Sequence, residues 1–273
     1  MPSPPLTVTF LGSGTSTGVP MIGCDCAVCA SPDPRDKRMR PSLLVTVRAP
    51  GEEERHILVD TTPEMRLQAL RAGIGRVDAV LVTHTHADHI FGMDDIRQFN
   101  WKHQRPMSVY GTEETLGHLR RTFDYCFKET QTGGGKPQLV LESFEPYRPF
   151  ELFGVTVTPL TVLHGRMPVT AFKFGDRFAY VTDVSTIPGE TRPHLAGLDT
   201  LILGAVRYEP HPTHFSLSEA VEEAQGFRPR QTYLTHLSHH FRHASVDADL
   251  PTGVNLGYDG LAFAVPGAGG NPQ

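Results

Sequence analysis

An α/β fold is expected of this chain on three observations. Short runs rich in β-branched and aromatic residues recur along its whole length, stretches of helical period stand between them, and neither kind is confined to one half. At 273 residues the chain can bury a sizeable core, and nothing in it requires a second unit, so residues 1–273 are read as a single domain.

Strands are predicted near 6–11, 43–48, 56–59, 77–83, 107–110, 152–163, 169–174, 178–182, 200–204, 231–235 and 261–264, each a run suited to a pleated, half-buried surface. Helices are predicted over 63–72, which opens at Pro63, and over 89–100, where Ile90, Met93, Ile96 and Phe99 recur every third residue. Two more follow at 112–124 and 217–225. The last begins Ser216-Leu217-Ser218-Glu219, a pattern in which serine and glutamate side chains satisfy free amides at a helix start. No internal repeat is present, and low complexity is limited to the Gly133-Gly134-Gly135 turn and a Gly/Pro tail after Val265.

A formal net charge of -5 and the absence of a long basic run argue against a protein built to grip long nucleic acid, while a small anionic substrate stays open. No stretch approaches the roughly 20 apolar residues of a membrane span, and the start MPSPPLTVTF lacks the segments of a secretory signal, so a cytoplasmic protein with no membrane partner is expected. A second copy of the chain is a candidate partner. Three of the 4 cysteines crowd into Cys24-Asp25-Cys26-Ala27-Val28-Cys29, with Cys126 alone; in a reducing compartment such spacing points to metal before disulfides. A tetrahedral zinc there needs a fourth ligand from elsewhere.

The most informative stretch is THTHADH, residues 83–89. It belongs to a wider regularity in which apolar strands end on metal-capable side chains: AVLVTH at His84, VTPLTVLH at His164, FAYVTD at Asp183 and QTYLTH at His236. Open α/β sheets bind ligands beyond the carboxyl ends of their strands, so these distant segments could converge on one cleft. His84 and His86, two apart on an extended segment, project to one side, while Asp88 and His89 open the next helix. His84, His86 and His164 then form one cation site and Asp88, His89 and His236 a second, with Asp183 able to bridge both. Three protein ligands plus an open position mark a catalytic rather than a structural site. Asp60, ending ILVD, is expected to hydrogen-bond a metal-binding histidine.

Other features are read more plainly. Gly12-Ser13-Gly14-Thr15-Ser16-Thr17-Gly18 follows a strand, but it has neither the spacing of a dinucleotide loop nor the Lys-Ser/Thr of a phosphate loop, and a tight turn beside the cleft is favoured. Arg166 and Arg207 lie near strand ends and are taken as solvated surface residues, and His103, His118 and His194 as ordinary histidines.

THTHADH with His164, Asp183 and His236 in that order resembles the metallo-β-lactamase superfamily, and the likeness runs through nearly the whole chain. The resemblance implies an αββα sandwich, two mixed β-sheets face to face and flanked by helices, with two divalent ions, zinc or manganese, at one edge. Secreted lactamases generally lack the bridging aspartate, which is present here as Asp183. FLGSGTSTGVPMIGCDCAVC, His214 in PTHFSLSEA, LTHLSHHF and GYDG together look like the PhnP-like phosphodiesterases. That likeness implies hydrolysis of small phosphodiesters, including cyclic phosphates such as ribosyl 1,2-cyclic phosphate, by a hydroxide that two ions roughly 3.5–4 Å apart activate. It makes His214, Asp88 and Asp183 the catalytic candidates, with His214 giving a proton to the leaving oxygen. It also makes His239 the fourth ligand of a structural zinc with Cys24, Cys26 and Cys29, with Cys126 as the rival. A nuclease like tRNase Z, a thioesterase like glyoxalase II and a non-catalytic cofactor-binding protein are the alternatives.

Overall fold

The computed structural model describes residues 4–49, 51–129 and 135–267; Gly133, Gly134 and the end of the Gly/Pro tail lie outside the described residues. The strands are β1 (Leu6–Gly12), β2 (Ser42–Val47), β3 (Arg55–Val59), β4 (Ala79–Leu81), β5 (Met107–Gly111), β6 (Leu139–Ser143), β7 (Phe150–Leu152), β8 (Val155–His164), β9 (Met167–Phe174), β10 (Phe178–Val181), β11 (Thr200–Gly204), β12 (Gln231–Thr235), β13 (Val254–Leu256) and β14 (Ala262–Val265). The helices are α1 (Met65–Arg71), α2 (Ala87–Ile90), α3 (Arg97–His103), α4 (Glu113–Thr122), α5 (Asp124–Phe127), α6 (Arg192–Leu195), α7 (Leu217–Phe227) and α8 (His243–Asp249).

Among the described residues the strands form two mixed sheets of 7, ordered β14-β1-β2-β3-β4-β5-β6 and β13-β12-β11-β10-β9-β8-β7. Each is antiparallel in one half and parallel in the other: the run β3-β4-β5-β6 is parallel in the first sheet, and β10-β11-β12-β13 in the second. Parallel strands need crossover segments, and those segments supply the outer helices.

Three apolar layers result. Phe10, Val45, Ile57 and Leu81 meet Val157, Phe172, Phe178 and Ile202 between the sheets. Leu58, Val80 and Val109 on the outer face of the first sheet pack with Ile90, Met93, Ile96 and Leu116. Leu201, Leu203 and Leu234 of the second sheet pack with Ala220, Ala224 and Phe227 of α7. A strand covered on both faces carries no polar alternation, and every residue of β2, SLLVTV, is accordingly buried. Helix, sheet, sheet and helix are thus stacked in the order the resemblance implies.

Two expected elements are divided. Residues 89–100 are not one helix: α2 ends at Ile90, a 3-10 turn covers Met93–Ile96, and α3 begins at Arg97. Strict spacing by three suits a 3-10 turn, where side chains at i and i+3 eclipse, and Ile90, Met93 and Ile96 are all fully buried. The run 152–163 is two strands, turned at Phe153 and Gly154, which have φ of 53° and 78°; two consecutive residues in that region make the tight turn of a two-residue hairpin. The expected cap of α7 is present, with Ser216 accepting from the Glu219 amide and Glu219 accepting from the Ser216 amide.

Candidate metal centre

Five segments bring the site together just beyond the carboxyl ends of β3, β4, β8, β10 and β12. After β4 the chain crosses between the sheets: the Val82 amide donates to Tyr110 O, and the Thr83 carbonyl accepts from the Thr170 amide of β9. His84 and His86 follow in extended backbone, and α2 then turns Asp88 and His89 toward the same point. Asp60, Asp183 and His236 each end a strand in left-handed backbone, with φ of 62°, 49° and 61°. Non-glycine residues rarely adopt it, and such strain persists where surrounding structure over-determines the position, as here at three site residues.

Asp88, His89, Asp183 and His236 have ligand atoms all within 4.8 Å of one another, and His84, His86 and Asp183 form a second group on the same criterion. The Asp183 carboxylate belongs to both. Its Oδ1 lies 3.2 Å from His236 Nε2 and 4.0 Å from His84 Nε2, and its Oδ2 lies 3.2 Å from His89 Nε2. Thr182 donates to Oδ2 at 2.6 Å. His164 falls in a third group with Asp183 and His214; its ring is 4.4 Å from His214 and 6.0 Å from His84. The Thr213 carbonyl explains this, since it accepts from His164 Nδ1 at 2.6 Å and holds the ring toward the 211–214 loop. His214 stacks on His236 with centroids 4.6 Å apart.

The electrostatics of these groups fit cations. Burial pushes His84 well below the usual imidazole range, with His89 adding to it, and burial followed by His164 also lowers His86. Burial would lower His89 and His236 too, yet the carboxylates win: Asp183 and Asp60 hold His89 well up, and Asp183 with Asp88 carries His236 to about 9. Burial raises Asp88 and Asp183, and the facing imidazoles more than offset it, leaving both below the carboxylate range. Burial, with His236 next, drives His214 down to about 3. Buried His84 Nε2, His89 Nε2 and both ring nitrogens of His236 have no hydrogen-bond partner. His89 Nε2 and His236 Nε2 lie 3.2 Å from Asp183 without making a hydrogen bond, as expected of side chains aimed at a common point, and His236 Nδ1 stands outside that set because one neutral ring offers one lone pair. Unpartnered buried nitrogens are costly unless a cation takes their lone pairs, so this donor set fits divalent ions.

The expected support from Asp60 is present. Its Oδ2 accepts from His89 Nδ1 at 2.7 Å and from Thr83 Oγ1 at 2.8 Å, and its Oδ1 accepts from the Thr83 amide at 2.8 Å. Burial raises this carboxyl, while His89 and Thr83 oppose the rise.

A second cluster lies on the loop before β2. Cys24, Cys26 and Cys29 place Sγ atoms 3.2, 3.6 and 3.7 Å from His239 Nδ1. Tetrahedral zinc with thiolate and imidazole bonds of about 2.3 and 2.05 Å separates S and N by about 3.6 Å, so these four side chains fit such an ion. The Cys29 amide, donating to Cys26, draws that thiol down to about 6, and burial pushes Cys29 up to about 11. Cys126 is packed in the core outside the first sheet, apart from the cluster. Arg38 ties the two regions: wholly buried beside Asp36, it donates to Ser238 O and Phe241 O on the segment that carries His236 and His239.

The glycine loop is used for close packing. A Cβ on Gly12 would lie 1.9 Å from Arg40 O, and the Ser13 amide and hydroxyl are taken by Asp259 of GYDG. Arg207 donates to Glu209 O and Pro210 O within its own loop, and Arg166 is exposed. Thr83, Thr182 and the Thr213 carbonyl were not expected at the site. The available signal was a threonine directly before His84, Asp183 and His236.

A family model described as "Beta-lactamase superfamily domain" matches residues 55–237, the span from β3 to just past His236. The chain belongs to the metallo-β-lactamase superfamily. A solved structure, described as a new diphosphatase from the PhnP family, is 41% identical with a TM-score of 0.87 and covers 97% of this chain and 98% of its own. An octanoyltransferase of Porphyromonas gingivalis is 40% identical over 92% of this chain, which spans 50% of that protein's length. A coenzyme PQQ synthesis protein B of Methylorubrum extorquens is 27% identical over 71% of each chain. The histidine–aspartate cluster of this superfamily member fits a dinuclear metal site. Among the described residues no helix is long and apolar enough to cross a membrane.

Proposed function

We propose that the chain hydrolyses a P–O bond of a small phosphodiester, cyclic phosphates included, using a pair of divalent ions, zinc or manganese. The observation that carries the reading is the two ligand groups sharing Asp183, lined by buried imidazole nitrogens without partners. His84, His86 and His164 would hold one ion and Asp88, His89 and His236 the other, with Asp183 between them. Two cations so placed supply Lewis acidity that acidifies water and neutralises phosphoryl oxygens during in-line displacement.

The chain's own residues do the rest. Asp88 and Asp183 would supply the negative charge that holds the cations against the imidazoles. Thr182, donating to Asp183 Oδ2, prevents that carboxylate from rotating out of register. His214 stands against His164 and His236, on the face where a leaving oxygen would depart. Burial leaves it neutral at pH 7, and a bound phosphate anion would raise its proton affinity so that it could give a proton to the leaving oxygen. Cys24, Cys26, Cys29 and His239 would hold a structural zinc that fixes the loop beside His236.

A second reading, hydrolysis of a diphosphate, is favoured by the PhnP-family diphosphatase at 41% identity, and it uses the same displacement at phosphorus. Metal-reconstituted protein assayed on bis-(p-nitrophenyl) phosphate, ribosyl cyclic phosphate, a cyclic nucleotide, a nucleoside diphosphate ester, an acyl thioester and precursor tRNA separates the readings. Turnover of the small diesters supports the proposal, and preference for the diphosphate selects the second reading. Activity confined to the thioester or to tRNA overturns both.

A further inference from the structure

Thr83 lies between the two ligand groups and belongs to neither. Its hydroxyl is 2.8 Å from Asp60 Oδ2, 3.0 Å from His84 Nδ1 and 3.5 Å from His89 Nδ1. Asp60 Oδ2 also receives His89 Nδ1 at 2.7 Å, and Asp60 Oδ1 is filled by the Thr83 amide. Both carboxylate oxygens therefore act as acceptors. A hydroxyl has one hydrogen and a carboxylate can only accept, so the Thr83 hydrogen goes to Asp60 and leaves oxygen lone pairs facing His84. His84 must then donate from Nδ1, and its Nε2, buried and without a partner, is left as the free lone pair. His89 is fixed the same way by direct donation to Asp60, and its Nε2 is likewise unpartnered.

We propose that Thr83 is a positioning residue that, with Asp60, sets the ring orientation and tautomer of one imidazole in each ligand group, so that a single buried carboxylate serves both ions. This rests on the two-ion reading above and adds a route by which the sites are coupled without a shared ligand. The fold supports it: the Thr83 amide and carbonyl are pinned by Asp60 and by Thr170 of β9, so the hydroxyl has little freedom to leave the relay. Partners of this kind typically contribute roughly 10- to 100-fold to metal affinity.

The test uses the full chain loaded with zinc. Chelator competition reads the affinity of each ion, and long-range 1H–15N NMR of the imidazoles after the zinc is removed reads the tautomers, since an ion held at Nε2 would itself keep the proton on Nδ1. Thr83→Val keeps the shape and removes the hydroxyl. It is expected to weaken the His84 ion roughly tenfold or more and to abolish the protected Nδ1–H of His84 while that of His89 remains. Thr83→Ser should restore both. Should the valine variant not fold, Thr83→Ala removes the same hydroxyl and is read identically. Two tightly bound active-site zinc ions in the wild type, with unchanged affinity and tautomer in the hydroxyl-free variant, would overturn the relay alone. A wild type that holds one active-site zinc would overturn the two-ion reading and the relay with it.

Discussion

Each histidine–aspartate segment follows on a strand of one of the two sheets, whereas the three thiols share one short loop and borrow His239 from another. In the first region His84, Asp88, His89, Asp183 and His236 are buried; Asp60 backs His89, Thr83 backs His84, Thr182 backs Asp183, and the Thr213 carbonyl accepts from His164. In the second, Cys24 and Cys26 are partly exposed, and the surrounding apolar cluster is reduced to Val19, Val28 and Cys29 with partial cover from Met21. The sheet-borne ligands are mostly buried between packed strands, while the loop-borne ligands have little apolar cover to hold them without a bound ion. Removing a ligand should therefore abolish chemistry in one region and loosen structure in the other.

The largest effect is expected from Asp183→Ala. Losing the shared carboxylate should lower diester hydrolysis by about 10³-fold or more and release active-site metal while the cysteine-held metal stays. Initial rates with elemental analysis read both, and full rate at unchanged metal content would contradict the division. Next, His214→Ala should slow turnover about 10²-fold with metal content intact; a variant as fast as the wild type removes its role. Cys26→Ala should act the other way round. Bound zinc falls and hydrolysis is reduced far less than in Asp183→Ala. Loss of about 2–3 kcal/mol of loop stabilisation lowers the melting temperature by roughly 5–10 °C. Unchanged zinc in that variant would reject the structural site.

The smallest effect on hydrolysis is expected at Asp259, which joins the glycine loop to Met39 between the two regions and bears on stability instead. Burial raises it to about 6 against the amides of Met39 and Ser13. A carboxyl raised on folding binds protons more tightly in the native state. Its contribution is therefore full below the unfolded value near 3.9 and is lost as pH rises through about 6, on the order of 3 kcal/mol in total. Denaturant titrations from pH 4 to 7 should show this loss in the wild type and a flatter profile in Asp259→Asn. Parallel profiles would reject it.

The ligands were legible because metal-capable residues directly follow apolar strands, and a strand's direction fixes where its end lies. Their supports were not. Thr83 and Thr182 look like ordinary strand threonines until Asp60 and Asp183 are seen beside them. The sandwich order came from resemblance, since strand periodicity specifies only α/β. β6 and β13 were missed as edge strands, where LVLES and the short VNL lack a continuous apolar run. α8, HASVDAD, was missed because it buries only His243 and Val246, too little to form a stripe. Residues 89–100 read as one helix because apolar residues three apart also share a face of an α-helix, although strict spacing by three is the 3-10 period.

Anomalous diffraction from a manganese- or zinc-loaded crystal addresses the paired site most directly. The expected result is two peaks about 3.5–4 Å apart on either side of the Asp183 carboxylate, one beside His84 and one beside His89 and His236. A single peak there, or two peaks that Asp183 does not touch, would contradict the account.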